Sequence, residues 1–237
     1  MNTMKKNSME WTAFIPLRMG SKRLPKKNIR LFLKKPLYTY TIDQALKSGA
    51  TKIIISTDIP EILDKKFDND LITVIKRPTY LSSDKTEMSE VICHTLNALD
   101  LRNHLIVLLQ ATSPLRTINN IKSALAIFIR NNFDMVLSVT KTDSEILKFG
   151  TIKSQRFVPI SKPSYCFQNT QNLPSTFKPN GAIFIFNSKK FLKKKSFPTT
   201  KIGVLEMNSD ESVDIDNIND FALCESIYRK IKNDYEN

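Results

Sequence analysis

Seven apolar, β-branched runs are the strongest constraint on how this chain can fold. They are TAFIPL (12–17), KIIIS (52–56), LITVI (71–75), HLIVLLQ (104–110), MVLSV (135–139), GAIFIF (181–186) and IGVLEM (202–207). Each is continuously apolar instead of alternating, the pattern of a strand covered on both faces. Helix-like segments lie between them. NIKSALAIF sets Ile121, Ala124, Leu125 and Phe128 on one stripe, and DFALCESIYRKI does the same with Phe221, Cys224, Ile227, Tyr228 and Ile231. Strand and helix in alternation predict an α/β fold, a doubly wound and mainly parallel sheet with helices on both sides. No repeat or low-complexity linker interrupts the 237 residues, so one domain spanning 1–237 with a single sizeable core is expected. The stretch Lys141–Pro179 stands apart, being polar, proline-containing and only briefly apolar. It reads as an excursion from the sheet, serving a partner subunit, a lid or a plain surface meander.

No apolar run approaches the roughly 20 residues that span a bilayer. The opening MNTMKKNSMEW has no apolar centre like that of a secretory signal and reads as a short polar lead-in. Both features point to the cytoplasm. Cys93, Cys166 and Cys224 are odd in number and widely spaced, which predicts buried thiols and no disulfide framework. Only two histidines are present, His94 in a helical pattern and His104 just before a strand, too few for a His/Cys zinc site.

Lys and Arg number 36 against 23 Asp and Glu, a formal net charge of +13. Such a balance suits nucleic acid, small anionic substrates, or no binding role at all. Basic residues arranged with aromatics or along a groove-reading helix are not evident, which argues against nucleic acid. The lysines of KKFLKKK (189–195) read as a solvated face anchored by Phe191 and Leu192.

Position singles out one basic cluster. IPLRMGSKRLPKKN (15–28) directly follows the first predicted strand, and in a doubly wound sheet ligands gather at the carboxyl ends of the strands. The loop has neither the G-x-G-x-x-G nor the P-loop spacing. Phosphate contact must therefore depend on side chains: arginine forks two N–H groups onto phosphate oxygens, and lysine brings a mobile point charge. Arg18, Lys22 and Lys27 are the candidates, with Pro25 stiffening the loop. A second cluster, SVDIDNINDF, places Asp214 and Asp216 two apart in a β-like run, where both would face the same way. Paired carboxylates completed by phosphates and water suit magnesium; the competing reading is two exposed acids ahead of a helix.

Taken together, these motifs resemble the CMP-nonulosonic acid synthetases, also called acylneuraminate cytidylyltransferases. The first loop, Arg18-Met-Gly-Ser-Lys22-Arg-Leu-Pro25-Lys-Lys27-Asn28, is similar to the family's R-x-G/N-S-K-x-x-P-x-K-N. KPLYTYTIDQALKSG, IIISTD, KRPTYLSSDKT, LLQATSPLR (108–116), FKPNGAIFIF and SVDID follow in the family's order, and together they cover nearly the whole chain. The resemblance implies a Rossmann-like nucleotidyltransferase fold with a small protruding segment, here 141–179, that pairs two subunits into a homodimer. It implies transfer of CMP from CTP to the anomeric hydroxyl of a sialic-type nonulosonic acid, releasing pyrophosphate, with Mg2+ required.

By that resemblance Arg18, Ser21, Lys22, Lys27, Asn28, Arg77 and Thr86 bind the nucleotide, and Arg18, Lys27 and Gln110 carry the chemistry. Gln110, Thr112, Lys148, Asn180, Gly181 and Phe184 would form the sugar side, Lys148 reaching in from the partner subunit, and Asp214 and Asp216 would hold the metal. Plainer readings stand beside these. Asp58 and Asp84 are potential turn caps, Gln110 could serve buried backbone, and Arg116 is expected to be structural, paired with an acid. Departures fall mainly in the sugar half: a family arginine aligns with Thr170, a tyrosine with Phe184, and a serine near Met88. These leave the identity of the sugar open. The nearest rival, the 3-deoxy-manno-octulosonate cytidylyltransferases, has a different first loop, and Lys22 and Asn28 argue against it.

Overall fold

The computed structural model describes residues 10–236, with side chains through residue 232; most of the polar lead-in lies outside them. In chain order the strands and helices are β1 (Thr12–Leu17), β2 (Leu31–Phe32), β3 (Lys35–Pro36), α1 (Leu37–Lys47), β4 (Lys52–Thr57), α2 (Pro60–Leu63), β5 (Ile72–Lys76), α3 (Met88–Ala98), β6 (Leu105–Leu109), α4 (Ile118–Asn131), β7 (Met135–Thr142), β8 (Gly150–Lys153), β9 (Arg156–Pro159), β10 (Thr176–Asn187), α5 (Ser188–Lys194), β11 (Ile202–Glu206) and α6 (Ile218–Glu236). All seven apolar runs become strands of one seven-stranded sheet ordered β11-β7-β10-β6-β1-β4-β5. Neighbours pair in parallel except for β10, which runs antiparallel to both β6 and β7.

Both faces of the sheet are covered. Ala13, Ile15, Leu17, Ile53, Ile55, Val107 and Leu109 pack with Tyr38, Ile42 and Ala45 of α1 and with Ile121, Ala124 and Leu125 of α4. Phe14, Ile54, Ile106, Leu108 and Phe186 point the other way, against Val91, Ile92 and Leu96 of α3 and Phe191 of α5. A third cluster joins Leu24 and Phe32 to Leu37 and Tyr40 of α1, Leu115, Ile215, and Phe221 and Cys224 of α6, tying the first loop and the VDID segment to one helix pair. The lysines of α5 are exposed around buried Phe191, as the sequence suggests.

Several expectations need correction. Only Cys224 is a buried thiol; Cys93 and Cys166 are half-buried, and all three are free. Ile231 stays exposed, because α6 outruns the core it docks on. The excursion is shorter than 141–179, since its two ends are sheet: Thr142 pairs with Thr176 and Val139 with Pro179. What leaves the sheet is the β8–β9 hairpin with short helical turns around it, exposing Ile152 at 80% and Phe167 at 92%. Beyond Pro179 the β10 ladder slips and resumes at Phe184, with Gly181 at φ +77°, a conformation suited to glycine. This bulge turns the strand where it reaches the ligand-facing end of the sheet.

Candidate active site

Two clefts adjoin at the carboxyl ends of β1, β5, β6 and β7. The first is lined by Arg18, Ser21, Lys27, Asn28, Arg77, Met88, Gln110, Thr112, Asp214 and Asp216, among others. The second is lined by Gln110, Thr140, Lys141, Lys178, Asn180, Gly181, Phe184, Asp214 and Asp216, with Arg23 and Asp220 at its rim. Gln110, Asp214 and Asp216 belong to both clefts and form the wall between them.

The first loop is shaped by its own hydrogen bonds. Asn28 is buried and its Nδ2 donates to the Arg18 carbonyl at 2.9 Å, while the Met19 N–H donates to Asp58 Oδ1 at 2.8 Å. Asp58 therefore holds the loop and does not cap its own turn. Arg18 Nη1 lies 2.6 Å and Lys22 Nζ 2.7 Å from Asp84, so Asp84 is an ion-pair partner and not a cap either. Those two cations hold the Asp84 carboxyl below the usual carboxylate range. Lys22 is 84% exposed and borders the loop's outer side, not the first cleft. Arg77 is buried; its Nη2 donates to the Ser56 carbonyl at 2.9 Å, and burial lowers its pKa to about 10.

Opposite the loop, the VDID segment is not a strand; it is irregular chain between β11 and α6. Buried Ile215 pins it, its N–H donating to the Thr112 carbonyl at 2.8 Å, and the flanking Asp214 and Asp216 still reach the same clefts. Lys27 crosses to this segment, bonding the Ile215 carbonyl and lying 3.3 Å from Asp216 Oδ1. Arg23 Nη2 meets Asp216 Oδ2 at 2.9 Å. Asp214 differs: its Oδ1 is buried with no hydrogen-bond partner among the described residues. Burial pushes its carboxyl above the usual range, nearby Asp216 and Asp220 add to the rise, and Thr112 and Lys27 oppose it. No cluster of three or more His, Cys, Asp or Glu suited to a metal occurs among the described residues. A divalent cation here would have the two aspartates and would need further oxygens from phosphate and water, a donor set that fits magnesium.

The chain is similar to known proteins over nearly its whole length. The sequence model of the cytidylyltransferase family matches residues 12–221. The chain belongs to that family. The N-acylneuraminate cytidylyltransferase of Streptococcus agalactiae serotype V is 32% identical over 90% of this chain and 52% of its own length, so the chain spans about half of that relative. The CMP-N,N'-diacetyllegionaminic acid synthase of Legionella pneumophila is 33% identical, covering 92% of this chain and 96% of the relative. The pseudaminic acid cytidylyltransferase of Campylobacter jejuni is 28% identical over 93% and 97%. A solved CMP:2-keto-3-deoxy-manno-octonic acid synthetase complexed with CTP shares the fold, with a TM-score of 0.66 at 14% identity over 93% of this chain and 99% of its own.

Not every residue expected at the site lines it. Thr86 lies outside both clefts; its hydroxyl is 2.9 Å from Ser83 Oγ and donates to the Tyr80 carbonyl at 3.3 Å. Lys148 sits in the excursion, also outside both clefts of its own chain. Asn180 lines the second cleft, but its amide is occupied: Oδ1 accepts from Ser138 Oγ at 2.5 Å and from the Ala182 N–H at 3.1 Å, and Nδ2 donates to Ser212 Oγ at 2.9 Å. Arg116 is buried with no acidic partner among the described residues; its acceptors are carbonyl, amide and hydroxyl oxygens. Sequence reasoning missed Arg23, Lys141 and Lys178. Arg23 stands in the loop already singled out, while the two lysines reach the same cleft only because β7 pairs with β10.

Proposed function

We propose that this protein transfers CMP from CTP to the anomeric hydroxyl of a nonulosonic acid, giving the CMP-sugar and pyrophosphate. The observation that carries this reading is the wall common to two clefts, one cation-lined and one polar, at the strand ends. It is a suitable place for a nucleotide phosphorus to meet an acceptor hydroxyl. Relatives of similar length named for legionaminic and pseudaminic acids support the acceptor class.

In this reading CTP lies in the first cleft, its triphosphate on Arg18 and Lys27, with exposed Lys22 turning in from the loop's outer side, its base toward Arg77 and Met88, and Ser21 and Asn28 shaping the loop. At an intermediate dielectric, one charge pair at 4 Å contributes about 4 kcal/mol before desolvation, and much less at an exposed group such as Lys22, so Arg18 and Lys27 carry most of the hold. The acid sugar lies in the second cleft against Gly181 and Phe184, whereas Thr112, expected on the sugar side, lines the first cleft. The anomeric oxygen bonds to the α-phosphorus, the bond to the bridging oxygen breaks, pyrophosphate leaves with the electron pair, and the hydroxyl proton passes to water. Gln110 orients the sugar at the wall. Alignment and charge stabilisation do most of the catalysis, which needs no histidine. Asp214 and Asp216 would hold Mg2+, which supplies charge neutralisation for the phosphates; the orphaned Asp214 oxygen supports that assignment.

The working form in this reading is a cytoplasmic homodimer. Exposed Ile152, Phe157 and Phe167 form an apolar surface on the excursion that a second copy would cover, bringing Lys148 toward its partner's sugar cleft. The test is an assay with CTP, Mg2+ and a panel of nonulosonic acids, reading CMP-sugar by mass and pyrophosphate release. CMP-sugar formed only with both CTP and one of these acids is expected; no product with any acid overturns the reading.

A further inference from the structure

We propose that Arg116 is a positioning residue for this reaction, its buried guanidinium fixing the main chain at Gln110 and Ala182 and so setting the wall between the clefts. The inference rests on the reading above. At 1% exposure, Arg116 is more deeply buried than any other charged side chain among the described residues. No acid among the described residues ion-pairs with it; Asp43 of α1, which lines a surface cleft with it, is paired with Lys35 instead. Burial alone lowers its pKa, to about 9, which leaves it protonated at neutral pH. Its four hydrogen bonds go to uncharged oxygens: Nη1 donates to the carbonyls of Gln110 at 3.2 Å and Ala182 at 2.7 Å, and Nη2 to Thr41 Oγ1 at 3.1 Å and Gln44 Oε1 at 2.7 Å. Nε has no partner.

The place of these contacts in the sheet explains their use. The β6–β10 ladder ends with Leu109 opposite Ile183. One step on in the same register, Gln110 faces Ala182, and Nη1 bridges these two carbonyls where no ladder bond joins them. Gln110 is thus held at the fraying end of the sheet by a side chain reaching back from six residues later. α1 steadies that side chain, because Gln44 Nε2 also donates to the carbonyls of Pro114 at 2.8 Å and Arg116 at 2.6 Å. Gly181 completes the arrangement: a Cβ at that position would stand 3.6 Å from the Gln110 amide, so main chain and amide pack closely. A shift at Gln110 or Ala182 therefore moves the wall itself. Misplacement of a reacting group by about 1 Å can cost on the order of 100-fold in rate.

The experiment compares wild type with Arg116→Lys, Arg116→Met and Gln44→Met, measuring Tm, CTP affinity by calorimetry, and kcat and KM for both substrates per folded molecule. Both Arg116 variants are expected to lose kcat by about 10- to 100-fold, with KM for CTP within twofold and the lysine variant the less impaired. Gln44→Met keeps Arg116 but removes an Nη2 acceptor, and should lose kcat about threefold to tenfold with the same KM pattern. Folded variants with wild-type kcat and only a lower Tm overturn the proposal, as does a rise in KM for CTP with kcat unchanged. If neither Arg116 variant folds, Gln44→Met decides between the same outcomes. A wild-type protein that makes no CMP-sugar counts against the proposed function, whereas an active wild type with unaffected variants counts against Arg116 alone.

Discussion

Asp84 shows how charge is arranged before substrate arrives. It ion-pairs with Arg18 and Lys22, two of the cations assigned to the triphosphate. Phosphate oxygens reaching those cations must displace or crowd this carboxylate. The substitution Asp84→Asn is expected to lower KM for CTP several-fold at low ionic strength, with the difference shrinking as salt rises, because both contacts are solvent-accessible. Steady-state kinetics across a salt series checks this, and a higher KM would show that Asp84 organises the loop instead. Order and spacing, joined to the family resemblance, singled out Arg18, Lys27, Asp214 and Asp216, and these four do line one cleft. It could not find pairings across 66 residues, such as Arg18 with Asp84, nor see that Arg116 lacks an acid or that the Asn180 amide is fully occupied. Those facts depend on which neighbour supplies the complementary atom, and the local sequence does not contain it.

Strands were the most legible elements, because residues such as Ile53, Ile54 and Ile55 must be covered on both sides wherever the strand lies. Strand direction was not legible: β10 is antiparallel because the excursion returns beside β7 and pairs with it. VDID looked like a strand from composition, yet only Ile215 is buried, and no neighbouring strand pairs with it. α6 is attached through Phe221 and Cys224, and burial pushes the Cys224 thiol up to about 12 from 9.0. The folded protein thus keeps this proton over a range in which the unfolded chain loses it. Stability is full below about pH 9 and falls as pH rises toward 12, by at most about 1.4 kcal/mol per pH unit from this group. Cys224→Ala should flatten that part of the profile, read from chemical denaturation at pH 8, 9.5 and 10.5. An unchanged slope would mean that α6 detaches before the thiol ionises.

At the scale of the whole molecule, exposed apolar side chains gather on the excursion. The net +13 is spread over exposed cations, including those of α5 and Lys153, Arg156 and Lys162 of the excursion, where Ile152, Phe157 and Phe167 also face solvent. Ile152→Glu combined with Phe167→Glu alters side chains that are 80% and 92% exposed, so the fold of each chain should be unaffected. If the proposed dimer forms through this surface, sedimentation velocity is expected to show a dimer for the wild type and a monomer for the variant, and KM for the acid sugar should rise about tenfold or more as a partner lysine is lost from its cleft. A variant that still sediments as a dimer would place the subunit contact elsewhere. The partition made by Gln110, Asp214 and Asp216 has a pharmacological consequence as well. One molecule with a cytidine head and an acidic pyranose mimic, joined through a short uncharged spacer, would occupy both compartments at once. Its second half would bind at the high effective concentration set by that spacer, so such an inhibitor should far exceed either fragment alone.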